Sequence, residues 1–391
     1  MRTSLLLATL SVLLAPLALA DNNNYAVGTC KPQLKSFASI QTAVSSVPPH
    51  STVLVCPGVY PEQVTISQPL NLQGIANNNI DQSVITIPGG ILTGNVTSIF
   101  TETVFAQVLV QTSGTVNISN ITVDGTGGDQ GCAVWLAGIF YASGSSGNIS
   151  RVRTSNQIDT GSCGVGIWAE NGGTPNTWVT IQGNSVHDFD SVGIFLGTVS
   201  PSTLNASTHD NFVSPNSAAV GILATGINGD ITDNDVSNTI AGVVVDLAPV
   251  RVAANNVSTA GLFGLLLFAG GTVQGNDITN TGIGVELSGP GATVQSNRIT
   301  LSAVAAIDFG CNAATVSHNT INDALVGLGN VPAGFTGSNN FANTGTISTV
   351  PPDGCPAFAP RLGAVQAAAQ LARPNSYSQW RTPANPSGVR P

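Results

Sequence analysis

The chain has 391 residues, 42% of them hydrophobic and only 8% charged, with 44 glycines and a formal net charge of −9. A disordered chain would be more charged and less apolar, and a nucleic-acid binder would need a basic surface, so both classes are excluded. Unaided binding of polyanions is disfavoured too, unless a bound cation reverses the local sign.

Residues 1–20 read as a secretory leader. Arg2 supplies the positive start, Leu5 to Leu14 the apolar run, and Ala18-Leu19-Ala20 the small-residue cleavage site. No later apolar run reaches the ~18 residues that cross a bilayer. The expected product is exported, extracellular or periplasmic, with no membrane partner. Residues 21–49 form an N-terminal segment in which Phe37, Ile40, Val44 and Val47 follow helical spacing. The spacing predicts a helix over 36–47, stopped by Pro48-Pro49, that caps strand edges otherwise open to aggregation.

Thr52 to Val55 begins a strand, and Gly58-Val59-Tyr60-Pro61-Glu62 turns it. Further on, Asp124 and Asp129 sit in a glycine-rich loop. They are a weak calcium candidate with too few ligands for a site, so a plain turn is preferred and no cofactor is predicted. Six Asn-x-Ser/Thr sequons (Asn95, Asn117, Asn120, Asn148, Asn205, Asn256) matter only in a host that glycosylates.

From Asn184 the asparagines recur at Asn211, Asn234, Asn255, Asn276, Asn297, Asn319 and Asn339, in steps of 27, 23, 21, 21, 21, 22 and 20 residues. Each is followed two residues later by an apolar side chain, from Val186 to Phe341. A second column keeps the period: Gly166-Ile167, Gly193-Ile194, Gly221-Ile222, Gly242-Val243, Gly264-Leu265, Gly284-Val285, Ala306-Ile307 and Gly327-Leu328. Such a period marks stacked units, none of which buries its own apolar face. Short alternating runs bounded by Gly, Asn, Ser and Thr are strands, so residues 50–345 are predicted to be a parallel β-helix with about 22 residues per coil. The asparagines then stack as a hydrogen-bonded ladder and are expected to take the left-handed backbone at the corners. Residues 346–391 form a tail, with a short helix expected near Leu362 to Leu371.

Six cysteines in an exported chain point to disulfides. Six allow fifteen pairings. Cys132 and Cys163 precede successive strands and fit neighbouring coils, Cys30 and Cys56 flank the first helix and strand, and Cys311 with Cys355 would tie the tail to a late coil. No Cys-x-x-Cys spacing occurs, so zinc and redox roles are not expected.

With these motifs, residues 36–345 resemble secreted right-handed parallel β-helix proteins of the pectin-lyase-like fold. The resemblance implies right-handedness and an all-β solenoid, and it specifies activity weakly. The opening helix and the Gly58-x-Tyr60-x-Glu62 turn look like those of pectin methylesterases, and Asp308-Phe309-Gly310 with Ala313 to Val316 echoes another segment of them. The catalytic Gln-Asp and Leu-Gly-Arg-Pro-Trp segments of that family have no counterpart, so esterase activity is not expected.

If Ile167, Ile194, Ile222, Val243, Leu265, Val285 and Ile307 point inward, the following residues point out. That column reads Trp168, Phe195, Leu223, Val244, Leu266, Glu286, Asp308. Two residues further on it reads Glu170, Gly197, Thr225, Asp246, Phe268, Ser288, Gly310. In the resembled enzymes one such face is a saccharide groove, which makes Glu286 and Asp308 the catalytic candidates and Trp168, Phe195, Glu170 and Asp246 the substrate-binding ones. A hydrolase is preferred to a lyase, because the face offers no arginine or lysine base. The competing reading makes the column a second small core beneath the tail, or the contact of an oligomer, since a bare apolar stripe is rare on a monomer. Two function classes follow: a polysaccharide-binding or cell-surface scaffold without catalysis, or a carbohydrate-active enzyme. His187 with Asp188 and His209 with Asp210 read as solvated turns, and Asp277 with Arg298 as a stacked surface ion pair.

Overall fold

The computed structural model describes residues 23–350 apart from 77–81, 102, 133, 174–175 and 217. The expected leader, and the expected tail from residue 351 on with its helix, lie outside the described residues; the first residues of that tail, Thr346–Ser348, form a strand paired with Val326–Gly329. The described strands form a thirteen-stranded and a twenty-two-stranded sheet, and all but one of their pairings are parallel. Successive strands of each sheet are separated in sequence by a strand of the other sheet or by a corner, which is the winding of a parallel β-helix. One apolar core runs through it, from Val27 and Ile40 at one end to Leu328 and Val331 at the other.

The asparagine column is a ladder. Asn184 Nδ2 donates to Asn211 Oδ1 at 2.9 Å, Asn211 to Asn234 at 2.9 Å, and the chain of amides continues to Asn339. Each backbone N–H from Asn184 to Asn319 also donates to the next amide oxygen. From Asn184 to Asn319 the asparagines are almost fully buried, so the ladder satisfies corner groups that would otherwise be costly. Their backbones are not left-handed, contrary to expectation. The residue before each ladder asparagine from Asn184 to Asn319 takes that conformation, among them Asp210 at φ 57°, Asp233 at 57°, Ala254 at 55°, Ser296 at 57° and His318 at 59°. The strain falls there because the asparagine must already be aligned with its neighbours. The glycine column has a packing cause: a Cβ on Gly284 would lie 2.5 Å from the Ala306 carbonyl oxygen and 2.6 Å from Ile299 Cγ2.

The helix is shorter than its apolar spacing predicts, Ile40–Ser46. Ser39 caps it by accepting from the Thr42 N–H, and Phe37 belongs to a strand in register with Val27. Glu62, from the Gly-x-Tyr-x-Glu turn, accepts from the Ile40 and Gln41 N–H groups at 2.9 and 2.8 Å, placing a carboxylate where the helix dipole favours one. Disulfides join Cys30 to Cys56 and Cys132 to Cys163. Cys311 is disulfide-bonded, and Cys355 lies outside the described residues.

Candidate functional site

The two columns of the larger sheet stack as alternation requires. Ile167 is in register with Ile194, Ile194 with Ile222, and Val285 with Ile307 on the inner side. On the outer side Trp168, Phe195, Leu223, Val244, Leu266, Glu286 and Asp308 pair in succession. The apolar part of that outer column is itself a core, distinct from the interior one. Trp168 is 2% exposed, Phe195 4%, Leu223 1% and Val244 0%. These outward residues are thus buried within the single chain.

The aromatic end is covered by residues 91–101 and 103, a strap that the sequence pattern did not flag. Val96 and Thr97 turn back on Val104 and Thr103 in the one antiparallel pairing among the described strands. Phe100 stands edge-on to Phe195, ring centroids 5.2 Å apart, and Phe195 in turn packs on Trp168 at 4.8 Å. Gly197 makes room for it: a Cβ there would lie 2.4 Å from Phe100 Cε2.

Glu170 fastens the strap. Its carboxylate accepts from Ser98 Oγ at 2.6 Å, the Ile99 N–H at 3.0 Å and Trp168 Nε1 at 3.2 Å. Burial dominates those three donors and pushes this carboxyl up to about 7. Beside the strap lies a cleft of about 510 Å³ lined by residues including Asn95, Val96, Thr97, Thr103, Gln111 and Ser143.

At the other end of the column Glu286 and Asp308 are register partners on adjacent strands. Glu286 is 6% exposed and accepts from Ser288 Oγ at 3.1 Å. Asp308 is half-buried; it accepts from the Gly310 N–H at 2.8 Å and from Asn330 Nδ2 at 2.9 Å to each oxygen. Asn330 was not singled out by sequence, because it lies 22 residues on in a corner without alternation. Asp246 is buried in the same face, in register with Thr225.

Elsewhere the carboxylates cap backbone. Asp124 accepts from Thr126 and Asn156, and Asp129 from Gly131 and Thr160. The Thr160 hydroxyl and amide, helped by the Gly131 amide, hold the Asp129 carboxyl at about 2. Asp190 accepts from the Asp159 and Gly164 N–H groups at 2.6 and 2.7 Å, and burial, reinforced by the Asp159 charge, pushes it up to about 6. His187 and His209 each contact the following aspartate, at 2.6 and 2.8 Å. Arg298 and Asp277 form the expected exposed pair at 3.8 Å. Among the described residues, no three His, Cys, Asp or Glu side chains gather as a metal would require.

Over 80% of this chain and 93% of the other, the structure superimposes on the A-module of mannuronan C-5 epimerase AlgE4 of Azotobacter vinelandii, with a TM-score of 0.60 and 19% identity. The chain is a right-handed parallel β-helix. At that identity the likeness carries the fold alone. More distant are the periplasmic alginate epimerase AlgG (12% identity, TM-score 0.44, 79% of this chain and 83% of that one) and PfbA, a surface adhesin of Streptococcus pneumoniae (11%, 0.43, 79% and 88%). These two are too remote to support any argument. No protein-family model matches the chain, and no curated protein matches it. The β-helix thus has one outer face of two characters: an enclosed aromatic end and a carboxylate end held by amide and hydroxyl donors.

Proposed function

We propose that this β-helix protein is secreted and binds polysaccharide, as an extracellular or cell-surface scaffold that turns nothing over. The observation that carries the reading is the strap: Glu170 and Phe100 close the aromatic end of the face, so its rings and its carboxylate pair do not share an open groove. Disulfides fit an oxidising compartment, and the leader-like first 20 residues fit export. The similarity to a mannuronan epimerase module lends support for a polysaccharide as the partner class.

A second reading rests on Glu286 and Asp308 alone. Strands roughly 4.8 Å apart bring two carboxyl groups within the span that retaining and inverting glycosidases use, about 5–9.5 Å. In this reading one is the general acid and the other the base or nucleophile. Neutral and acidic polysaccharides, assayed for binding and for new reducing ends with wild type, Glu286→Gln and Asp308→Asn, separate the two. Binding with no turnover in any of the three proteins supports the scaffold. Turnover by wild type that either substitution lowers at least ~100-fold establishes the hydrolase.

A further inference from the structure

The thirteen-stranded sheet has an outer face of its own, and a tryptophan stands in it. Trp178 lies in the strand Asn176–Gln182 and is 41% exposed. Its backbone N–H donates to Ser146 Oγ at 3.2 Å, and Asn205 is its register partner on the following strand. Leaving an indole this open forgoes much of the stabilisation that burying a large apolar side chain contributes. Trp168, which stands on the outer face of the larger sheet, is by contrast enclosed.

The surroundings of Trp178 are amides and hydroxyls in register. On one side Asn148 Nδ2 donates to Asn117 Oδ1 at 2.8 Å, Asn117 to Asn71 at 2.7 Å, and Asn71 to Thr52 Oγ1 at 3.2 Å. Asn148 is followed in the same column by Thr180 and Ser207. On the other side Asn228 Nδ2 donates to Asn205 Oδ1 at 2.8 Å. Because these amides are aligned by one another, they are pre-oriented and repeat at the strand spacing of roughly 4.8 Å. The outward positions of the strands Thr115–Ser119, Ser146–Ser150 and Asn176–Gln182 carry no charged side chain. Charges enter only further along, at Asp230 and Arg251.

We infer that this face is a binding platform for a neutral glycan chain, with Trp178 stacking on one sugar ring and the flanking asparagine and threonine side chains meeting its hydroxyls. An aromatic face beside fixed amide donors and acceptors suits a ring with one apolar face and a polar rim. The lack of charge removes the attraction that an acidic polymer would need. A chain lying along the solenoid axis meets an amide or hydroxyl side chain at each coil from Asn71 to Ser207. This inference rests on the polysaccharide-binding reading and gives it a location away from the face of Glu286 and Asp308.

The test is isothermal titration of the full chain with cellohexaose, mannohexaose and hexagalacturonate. The expected result is binding of a neutral hexasaccharide, weakened at least ~10-fold in Trp178→Ala, kept within ~3-fold in Trp178→Tyr, and unchanged in Phe212→Ala, whose ring is comparably exposed at 44%. Unchanged binding in Trp178→Ala, with thermal unfolding like wild type, overturns the platform and leaves the polysaccharide reading standing. Tighter binding of hexagalacturonate than of either neutral sugar overturns the neutral-glycan assignment. If the wild type binds none of the three, the reading beneath the platform fails as well.

Discussion

The two ends of the outer column on the larger sheet share one backbone register and differ in what lies over them. At the aromatic end Trp168 and Phe195 are enclosed by Phe100 and by the strap that Glu170 fastens. At the carboxylate end Glu286 and Asp308 are held from the side by Ser288, Gly310 and Asn330. Alternation therefore places a side chain on an outer face without making it a surface residue. Whether an outward ring is a core residue or a stacking platform depends on a distant segment. Trp178 and Trp168 make the same point across the two sheets.

The largest effect should come from treating the aromatic end as core. Trp168→Ala should cost about 3–5 kcal/mol, read as a fall in the denaturant midpoint, whereas Asp308→Asn should stay within roughly 1 kcal/mol because its main donors can still be met. Comparable costs at the two ends would erase the distinction. Next is Glu170→Ala, which strips the acceptor from Ser98, Ile99 and Trp168 and should cost about 2–3 kcal/mol. Its effect should concentrate in hydrogen exchange of residues 91–103.

The pH dependence of the strap sharpens the contrast. Burial raises Glu170 from 4.5 to about 7, so the fold favours its neutral form. Its contribution is fully present below about 4.5 and is lost as pH rises through about 7. Exchange of the strap amides, corrected for intrinsic pH dependence, should quicken over that window in wild type and stay flat in Glu170→Gln. A profile common to both proteins would remove Glu170 as the cause. Asp190, raised to about 6, acts at the Asp159 corner and should survive in that variant as a separate, smaller transition. Among the variants at the aromatic end, Gly197→Ala should have the smallest effect. It forces Phe100 to give way and should cost about 1–3 kcal/mol, with a red-shifted tryptophan emission if Trp168 becomes wetter.

Much of the architecture could be read directly from residue spacing. The asparagine column and the glycine–branched column carry a 20–23-residue beat over most of their length, and parallel stacking repeats each local choice at the next coil. The same beat made Trp168, Phe195, Glu286 and Asp308 legible as one column. Two local details were misread. The left-handed corner residue precedes the asparagine, because the ladder amide needs its own backbone aligned. The helix starts only after Ser39, because strand pairing with Val27 claims Phe37.

The strap had no such beat. Ser98 and Glu170 are 72 residues apart, and residues 91–103 carry neither a strand nor a helix period. By itself the chain of letters determined a stacked parallel solenoid and which residues face in or out, because those follow from a two-residue alternation and a coil-length repeat. Only the tertiary structure decided which outward residues are covered, since cover comes from non-repeating segments whose partners lie far along the chain.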